Sequence, residues 1–299
     1  MPYDTLKEKP LPAPGPKLIR MADLLDEFAA DAKARNDAKI SGSPLGAVSG
    51  FSKLDEAVGG AFAPGLHILH GSPGSGKTAF ALQLAGSCEC PCLFVTCEMA
   101  PLELLRRMTA RLTGQYLGRF KTGEMSPAQA RAYAESAIQK VPMLALLDAT
   151  AAAALRDFIQ RSAETTRRLA PDNPHLLIIV DSVHSWVRGW QADADEYAAL
   201  NSGLDILRTI AQEMNCAVIG IGERNRASMK TGGQSGTAGT RSFEYASETV
   251  LELQAKKDGT PDADGKTPIE LTLSKNRNGS PGRKIDLMFT GRLQEFEEV

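Results

Sequence analysis

The chain has 299 residues, 42% of them apolar, and its 34 basic and 36 acidic side chains nearly cancel to a formal charge of −2 at pH 7. That length and apolar content are enough to bury a good core, as one large domain or one domain with an appendage. The balance of charge argues against a non-specific nucleic-acid coat held by a global positive field, but leaves room for positive charge gathered in a few loops. Five cysteines, an odd number, point to reduced thiols and a cytoplasmic protein. There is no basic-then-apolar leader and no apolar run of membrane-spanning length, so no membrane partner is expected.

Residues 1–16 carry Pro2, Pro10, Pro12, Pro14 and Pro16 among polar residues and read as a disordered tail. Residues 17–48 read as an amphipathic helix followed by a linker. Leu18, Met21, Leu25, Phe28 and Ala32 recur at helical spacing up to about Ala38, and the stretch from Ile40 to Val48 is rich in Gly, Ser and Pro. The apolar stripe either packs on its own core or docks on a neighbouring copy.

Residues 49–299 read as one α/β domain, a mostly parallel sheet with helices on both faces. Strands are predicted near Leu66–His70, Leu93–Thr96, Met143–Leu147, Leu176–Val180 and Ala217–Ile221. Helices are predicted at Thr78–Ser87, Pro101–Thr113, Pro127–Lys140, Ala151–Ala170 and Glu196–Met214. After Glu248, the alternating runs TVLELQ, IELTLS and KIDLMF between turn-rich segments predict an antiparallel extension. No internal repeat is visible.

The stretch LHILHGSPGSGKTAF, from Leu66 to Phe80, organises the domain. Gly71, Ser72, Pro73, Gly74, Ser75, Gly76, Lys77 and Thr78 fit the G-x-x-x-x-G-K-[ST] spacing between a strand and a helix. Glycines let backbone N–H groups approach phosphate oxygens, and the helix start adds partial positive charge. Lys77 reaches terminal phosphates as a point charge, and the Thr78 hydroxyl suits a magnesium ion. The apolar run Leu176–Val180 delivers Asp181 to the same sheet edge, where it would hold the magnesium through water. The strand LFVTCE ends in Glu98, a carboxylate suited to polarising an attacking water, or one that merely favours the next helix start. Cys88, Cys90, Cys92 and Cys97 lack paired zinc-ligand spacing and read as buried small hydrophobes rather than a metal site.

The order GFSKLDEAVGG, HGSPGSGKTAFALQLA, LFVTCEM, RFKTGEMSPAQA, LLIIVDS and SKNRNGSPGRKIDLMF resembles the RecA-type ATPase domain of DnaB-like replicative helicases, from about Ser49 to the C-terminus. The Glu98–Met99 pair and the element Lys275, Arg277, Asn278, Gly279 are its most specific parts. A related likeness is to RadA branch-migration ATPases, through Asp181–Ser182 and Lys275–Arg277. The resemblance implies a RecA-like P-loop core using ATP and Mg2+, with Lys275 and Arg277 reaching the nucleotide of the adjacent subunit of a ring, most simply a hexamer. It also implies that the helix Leu18–Ala38 packs on the next subunit.

The same resemblance places two loops toward a pore. One runs from His184 to Asp195 with Trp186, Arg188 and Trp190, whose rings either stack on bases or anchor the loop. The other contains Arg224, Arg226, Lys230 and Arg241 in a Gly-, Ser- and Thr-rich setting suited to the backbone of single-stranded DNA. Two positions depart from the family: Glu223 stands where a phosphate-sensing glutamine is usual, and His184 stands where a Gln is usual. The sequence also shows no counterpart of the helical N-terminal domain of DnaB, leaving contacts to a primase or loader open, nor of the zinc finger and protease-like domain of RadA. The leading expectation is a minimal DNA helicase motor of a mobile element. Alternatives are a RadA-like recombination ATPase and an ATP-switched assembly protein that does not act on DNA.

Overall fold

The computed structural model describes residues 18–151, 154–190, 195–223, 242–256 and 260–299. The chain divides between Ser43 and Pro44 into two units. In the first, a short 3-10 turn at Met21–Leu24 leads into α1 (Leu25–Ser41), which Gly42 ends in the left-handed conformation at φ 72°. The helix thus starts later and runs further than the apolar spacing predicts, and takes in the first residues of the expected linker. No residue of α1 is buried; Met21, Leu25 and Phe28 are largely exposed.

The second unit is built on a nine-stranded sheet in the order β3-β2-β4-β5-β1-β6-β7-β8-β9. The strands are β1 (Gly65–Gly71), β2 (Cys92–Thr96), β3 (Leu144–Asp148), β4 (Leu177–Asp181), β5 (Ala217–Glu223), β6 (Thr249–Ala255), β7 (Lys266–Asn276), β8 (Lys284–Thr290) and β9 (Glu295–Glu298). The helices of this unit include α2 (Ser52–Ala57), α3 (Lys77–Ser87), α4 (Pro101–Thr113), α5 (Pro127–Gln139), α6 (Arg156–Arg167), α7 (Val183–Arg188) and α8 (Glu196–Glu213). Strands buried on both faces read as continuous apolar runs, and their side chains divide by period two. Cys92, Phe94, Leu177, Ile179, Ala217 and Ile219 enter one core with α2, α3 and α4. Leu93, Val95, Ile178, Val180 and Val218 enter the other with α6, α7 and α8.

The first six strands are parallel and only β7, β8 and β9 are antiparallel. The run TVLELQ, which its texture assigns to the antiparallel extension, therefore forms the junction: β6 lies parallel to β1 and antiparallel to β7. β9 is an addition to the expected strands, because four residues with a single apolar side chain among three glutamates carry little periodic signal. It is held by a side chain instead: Gln83 of α3 donates from Nε2 to the Phe296 carbonyl at 2.9 Å and accepts the Phe296 N–H at 2.8 Å.

Helix α6 begins five residues later than the alanine run suggests. Asp148 accepts the Thr150 N–H and hydroxyl in a turn, and the Ala154 carbonyl is taken by the Trp186 indole at 2.7 Å, so this backbone is committed to other partners. The segment read as a pore loop after Asp181 holds a helix, α7. Ser182 caps it by accepting the Ser185 N–H at 3.3 Å, and Val183, Trp186 and Val187 bury at i, i+3, i+4 spacing. Trp186 is an anchor of the core, not an exposed stacking platform. Trp190 packs half-buried against it, ring centroids 5.6 Å apart.

Candidate nucleotide site

The sheet brings the carboxyl ends of β1, β2, β4 and β5 to one edge. Gly71 pairs with Glu223, and Thr96 pairs with Asp181. Residues 71–76 leave β1 and turn into α3, with Gly74 at φ 82° and Gly76 at φ 88°. These left-handed values favour glycine. At Gly71 the need is steric: a Cβ there would meet the Leu253 carbonyl oxygen at 2.2 Å. The first N–H groups of an eleven-residue helix point into the loop. The loop thus leaves β1 so close to β6 that a single methyl at its first position would collide with that strand.

Lys77 Nζ donates to the carbonyls of Gly71 and Ser72 at 3.1 Å each, which sets the ammonium over the loop. Burial pulls its pKa below the ordinary lysine value, opposed by the charges of Glu223, Asp181 and Glu98. Asp181 is buried at the end of β4 and accepts a hydrogen bond from Thr78. Burial pushes its carboxyl up to about 6, with Thr78 and Lys77 acting against that shift and Glu98 reinforcing it. Two hard oxygen donors side by side, one a desolvated carboxylate that a cation would relieve, form a donor set that suits magnesium. Buried Ser75 Oγ also has no partner among the described residues. These residues fit a triphosphate with its magnesium.

Glu98 is exposed two residues past β2, and its Oε1 accepts the hydroxyls of Ser182 and, at 2.7 Å, Ser185. Ser182 enters the sequence reading only as the partner of Asp181 in the RadA likeness, and Ser185 carries no signal of its own; the contact of both with Glu98 is revealed by the juxtaposition of β2 and β4. The Glu223 N–H donates to His184 Nδ1 at 3.4 Å, so the ring's remaining proton sits on Nε2. Burial depresses the His184 pKa, with the Glu223 charge the largest opposing influence. The two positions that depart from the family pattern are therefore in contact with each other.

Lys275 and Arg277 lie elsewhere. Lys275 Nζ donates to the carbonyls of Glu244 and Ser247, and Arg277 pairs with Glu248 at 2.9 Å. The Arg277 N–H bonds the Glu248 carbonyl, and the Glu248 N–H bonds Leu66, near the start of β1. From Leu66 to Gly71 is about 16 Å of strand at 3.3 Å per residue. Arg277 thus stands near the start of β1, at the far end of that strand from its own phosphate loop, while Lys275, paired with Val250, lies two strands from β1 at the level of Ile68. Asn276 fixes this turn, donating to the Ala57 carbonyl at 2.8 Å and accepting the Asn278 N–H at 3.2 Å.

Arg224, Arg226, Lys230 and Arg241 lie outside the described residues. Among the described residues no group of three or more His, Cys, Asp or Glu side chains is placed to hold a metal, and Cys88, Cys90 and Cys92 are buried free thiols. No described helix is long and apolar enough to cross a membrane.

A phosphate loop between a parallel strand and a helix, with acids at the ends of the neighbouring strands, defines a RecA-like P-loop nucleoside-triphosphatase core. Solved structures agree on this fold. A DnaB-like replicative helicase, described together with its interactions with primase, superposes with a TM-score of 0.74 at 18% identity, covering 92% of this chain and 68% of that one. The RadB recombinase gives 0.53 at 22% identity, covering 84% and 98%. The chain belongs to the family of the DnaB-like helicase C terminal domain, whose profile matches residues 46–298. The replicative DNA helicase DnaB of Haemophilus influenzae is 23% identical over 266 residues, 85% of this chain and 55% of that protein. The Gene 65 protein of Mycobacterium phage D29 is 27% identical over 219 residues, 71% of this chain and 88% of that protein. The chain spans about half the length of the DnaB relatives it matches.

Proposed function

We propose that the chain is a ring-forming, magnesium-dependent ATPase that moves on single-stranded DNA as the motor of a replicative helicase. The observation that carries this reading is the separation of the late cations from the phosphate loop. Gly71–Thr78, Glu98 and Asp181 gather at one edge of the sheet, while Arg277 stands near the start of β1 and Lys275 two strands from β1, level with Ile68, where each is held by other groups of the chain. A second copy is needed to bring those cations to a phosphate loop.

In this reading the loop N–H groups and Lys77 bind the phosphates, and Thr78 and Asp181 hold the ion. A bound magnesium supplies positive charge that draws electron density from the terminal phosphate oxygens. Glu98 orients a water and accepts its proton. Lys275 and Arg277 of the neighbouring copy stabilise charge building on the transferred group. The exposed apolar residues of α1 support docking on a neighbour, since a helix with no buried residue gains little from staying alone. A six-membered ring, the DNA contacts of Arg224, Arg226, Lys230 and Arg241, and a primase or loader partner belong to the same proposal. So does service to a phage or other mobile element, which the phage relative supports.

The test is ATP hydrolysis with and without single-stranded DNA, followed by unwinding of a forked duplex. Stimulation and unwinding are expected; branch movement alone would favour a recombination motor, and indifference to DNA an assembly protein. Mixing Lys77→Ala with Arg277→Ala should restore activity that neither has alone, because mixed interfaces pair one intact loop with one intact arginine. Failure to recover at every ratio, in mixtures shown by mass to contain both chains, would remove the shared site.

A further inference from the structure

The first turn of α7 faces Glu98 across the junction of β2 and β4. Ser182 uses an Oγ lone pair to accept the Ser185 N–H, and its one hydroxyl proton is directed at Glu98 Oε1, much nearer than the alternative acceptor, the Ser185 hydroxyl at 3.3 Å. Ser185 donates to the same oxygen at 2.7 Å. Among the hydrogen bonds of the described residues, none ends on Glu98 Oε2. The serines stand on rigid ground: Ser182 is buried, Trp186 is locked into the core by its bond to Ala154, and Cys97 donates its N–H to the Asp181 carbonyl at 2.7 Å. Glu98 itself is exposed.

We propose that Ser182 and Ser185 are positioning residues for Glu98, a clamp of two hydroxyls that holds one carboxylate oxygen and presents the other to the attacking water. The inference rests on the reading of Glu98 as the water-activating group. An exposed glutamate has several rotatable bonds, and most of its orientations would not face a nucleotide on the neighbouring loop. Hydroxyl-to-carboxylate bonds are charge-assisted and short, so two of them on one atom fix the side chain. Ser182 also caps α7, which by itself explains a serine there. Ser185 caps no helix: its hydroxyl proton goes to Glu98 at 2.7 Å, and its oxygen also lies 3.3 Å from the Ser182 hydroxyl. That makes Ser185 the residue on which the proposal turns.

The experiment compares Ser185→Ala and Ser185→Thr in the full chain; Ser182→Ala is set aside because it also removes the helix cap. Ser185→Ala is expected to lower kcat about tenfold, the loss of one hydrogen bond to a charged group, with KM and nucleotide Kd unchanged. Ser185→Thr should restore kcat, and in a Glu98→Gln background Ser185→Ala should add no further loss in single-turnover assays. A second readout needs no turnover. In nucleotide-free, chelator-treated protein, the Glu98 carboxylate stretch, isolated as the infrared difference from Glu98→Gln, should move in Ser185→Ala and return in Ser185→Thr. Unchanged turnover with an unmoved band, or a loss that threonine does not rescue, overturns the clamp. Wild-type turnover in Glu98→Gln would overturn the role of Glu98 instead, while the band shift would still report the clamp itself.

Discussion

Phe296, in the last strand, lies directly behind Gly76, in the phosphate loop: a Cβ on residue 76 would come within 2.8 Å of the Phe296 ring. The ring is also stacked on Phe289 at 4.3 Å and set edge-on to Phe80 of α3 at 5.3 Å. The final residues of the chain thus back the loop that holds phosphate, and β9 is pinned to α3 by the paired bonds of Gln83. Phe296→Ala should cost about 3–5 kcal/mol in stability, the range for an emptied aromatic site. It should also weaken nucleotide binding, since the cavity opens under Gly76. Denaturant unfolding and nucleotide titration at a temperature where the variant stays folded check the two effects, and Phe296→Leu should be milder in both.

Lys77 and Glu98 are expected to separate binding from chemistry. Lys77 sits over the loop, bonded to Gly71 and Ser72, so Lys77→Ala should lose both affinity and turnover. Glu98→Gln keeps an oxygen for the two serine hydroxyls yet cannot take a proton. It should bind nucleotide as the parent does and turn over at least about a hundredfold more slowly, within the usual range for general-base loss. Equal loss of affinity in the two variants would argue against a base at residue 98.

Much of this site is legible in the residues, because strand-to-helix phosphate loops obey local rules: glycine where φ is positive, a lysine and a hydroxyl at the helix start. The central strands are equally plain as unbroken apolar runs. What escapes such a reading depends on contacts between distant segments. The edge strand β9 exists through Gln83, 213 residues away from Phe296. Helix α7 carries a readable i, i+3, i+4 pattern in Val183, Trp186 and Val187, but its six residues are too few to outweigh the loop expected from the family pattern. The placement of β6 beside β1 depends on which sheet edge is open after β5, a property of the assembled sheet and not of TVLELQ.

Glu223 places a carboxylate beside the phosphate site, where its charge acts on Lys77 more than that of Asp181 or Glu98. An anion there repels the phosphates that Lys77 attracts. Glu223→Gln should therefore tighten nucleotide binding several-fold, with the gain shrinking as salt is added. Titration at two ionic strengths checks this; weaker binding in the variant would mean that the Glu223 carboxylate serves the nucleotide as a charged acceptor, a role the glutamine amide does not fill.

His67 gives the fold a dependence on acid whose sign follows from its surroundings. Its ring is buried in β1, with Nδ1 3.0 Å from the Thr249 hydroxyl and Nε2 2.8 Å from the Ala63 carbonyl. A proton on Nε2, donated to Ala63, and a lone pair on Nδ1 facing the Thr249 hydroxyl satisfy both partners with the ring neutral. Burial holds the pKa below the ordinary histidine value, against the smaller opposing effects of Ala63 and Glu248. The unfolded chain therefore takes up this proton first as pH falls. The stabilisation is complete well above pH 6.5 and declines as pH drops from about 6.5 toward the depressed native value. His67→Gln keeps a donor and an acceptor but does not titrate. Its unfolding midpoint should fall less than the parent's between about pH 7.5 and 5.5, a comparison that subtracts the other titrating groups common to both. Parallel curves would show that His67 is protonated equally in the native and unfolded chains.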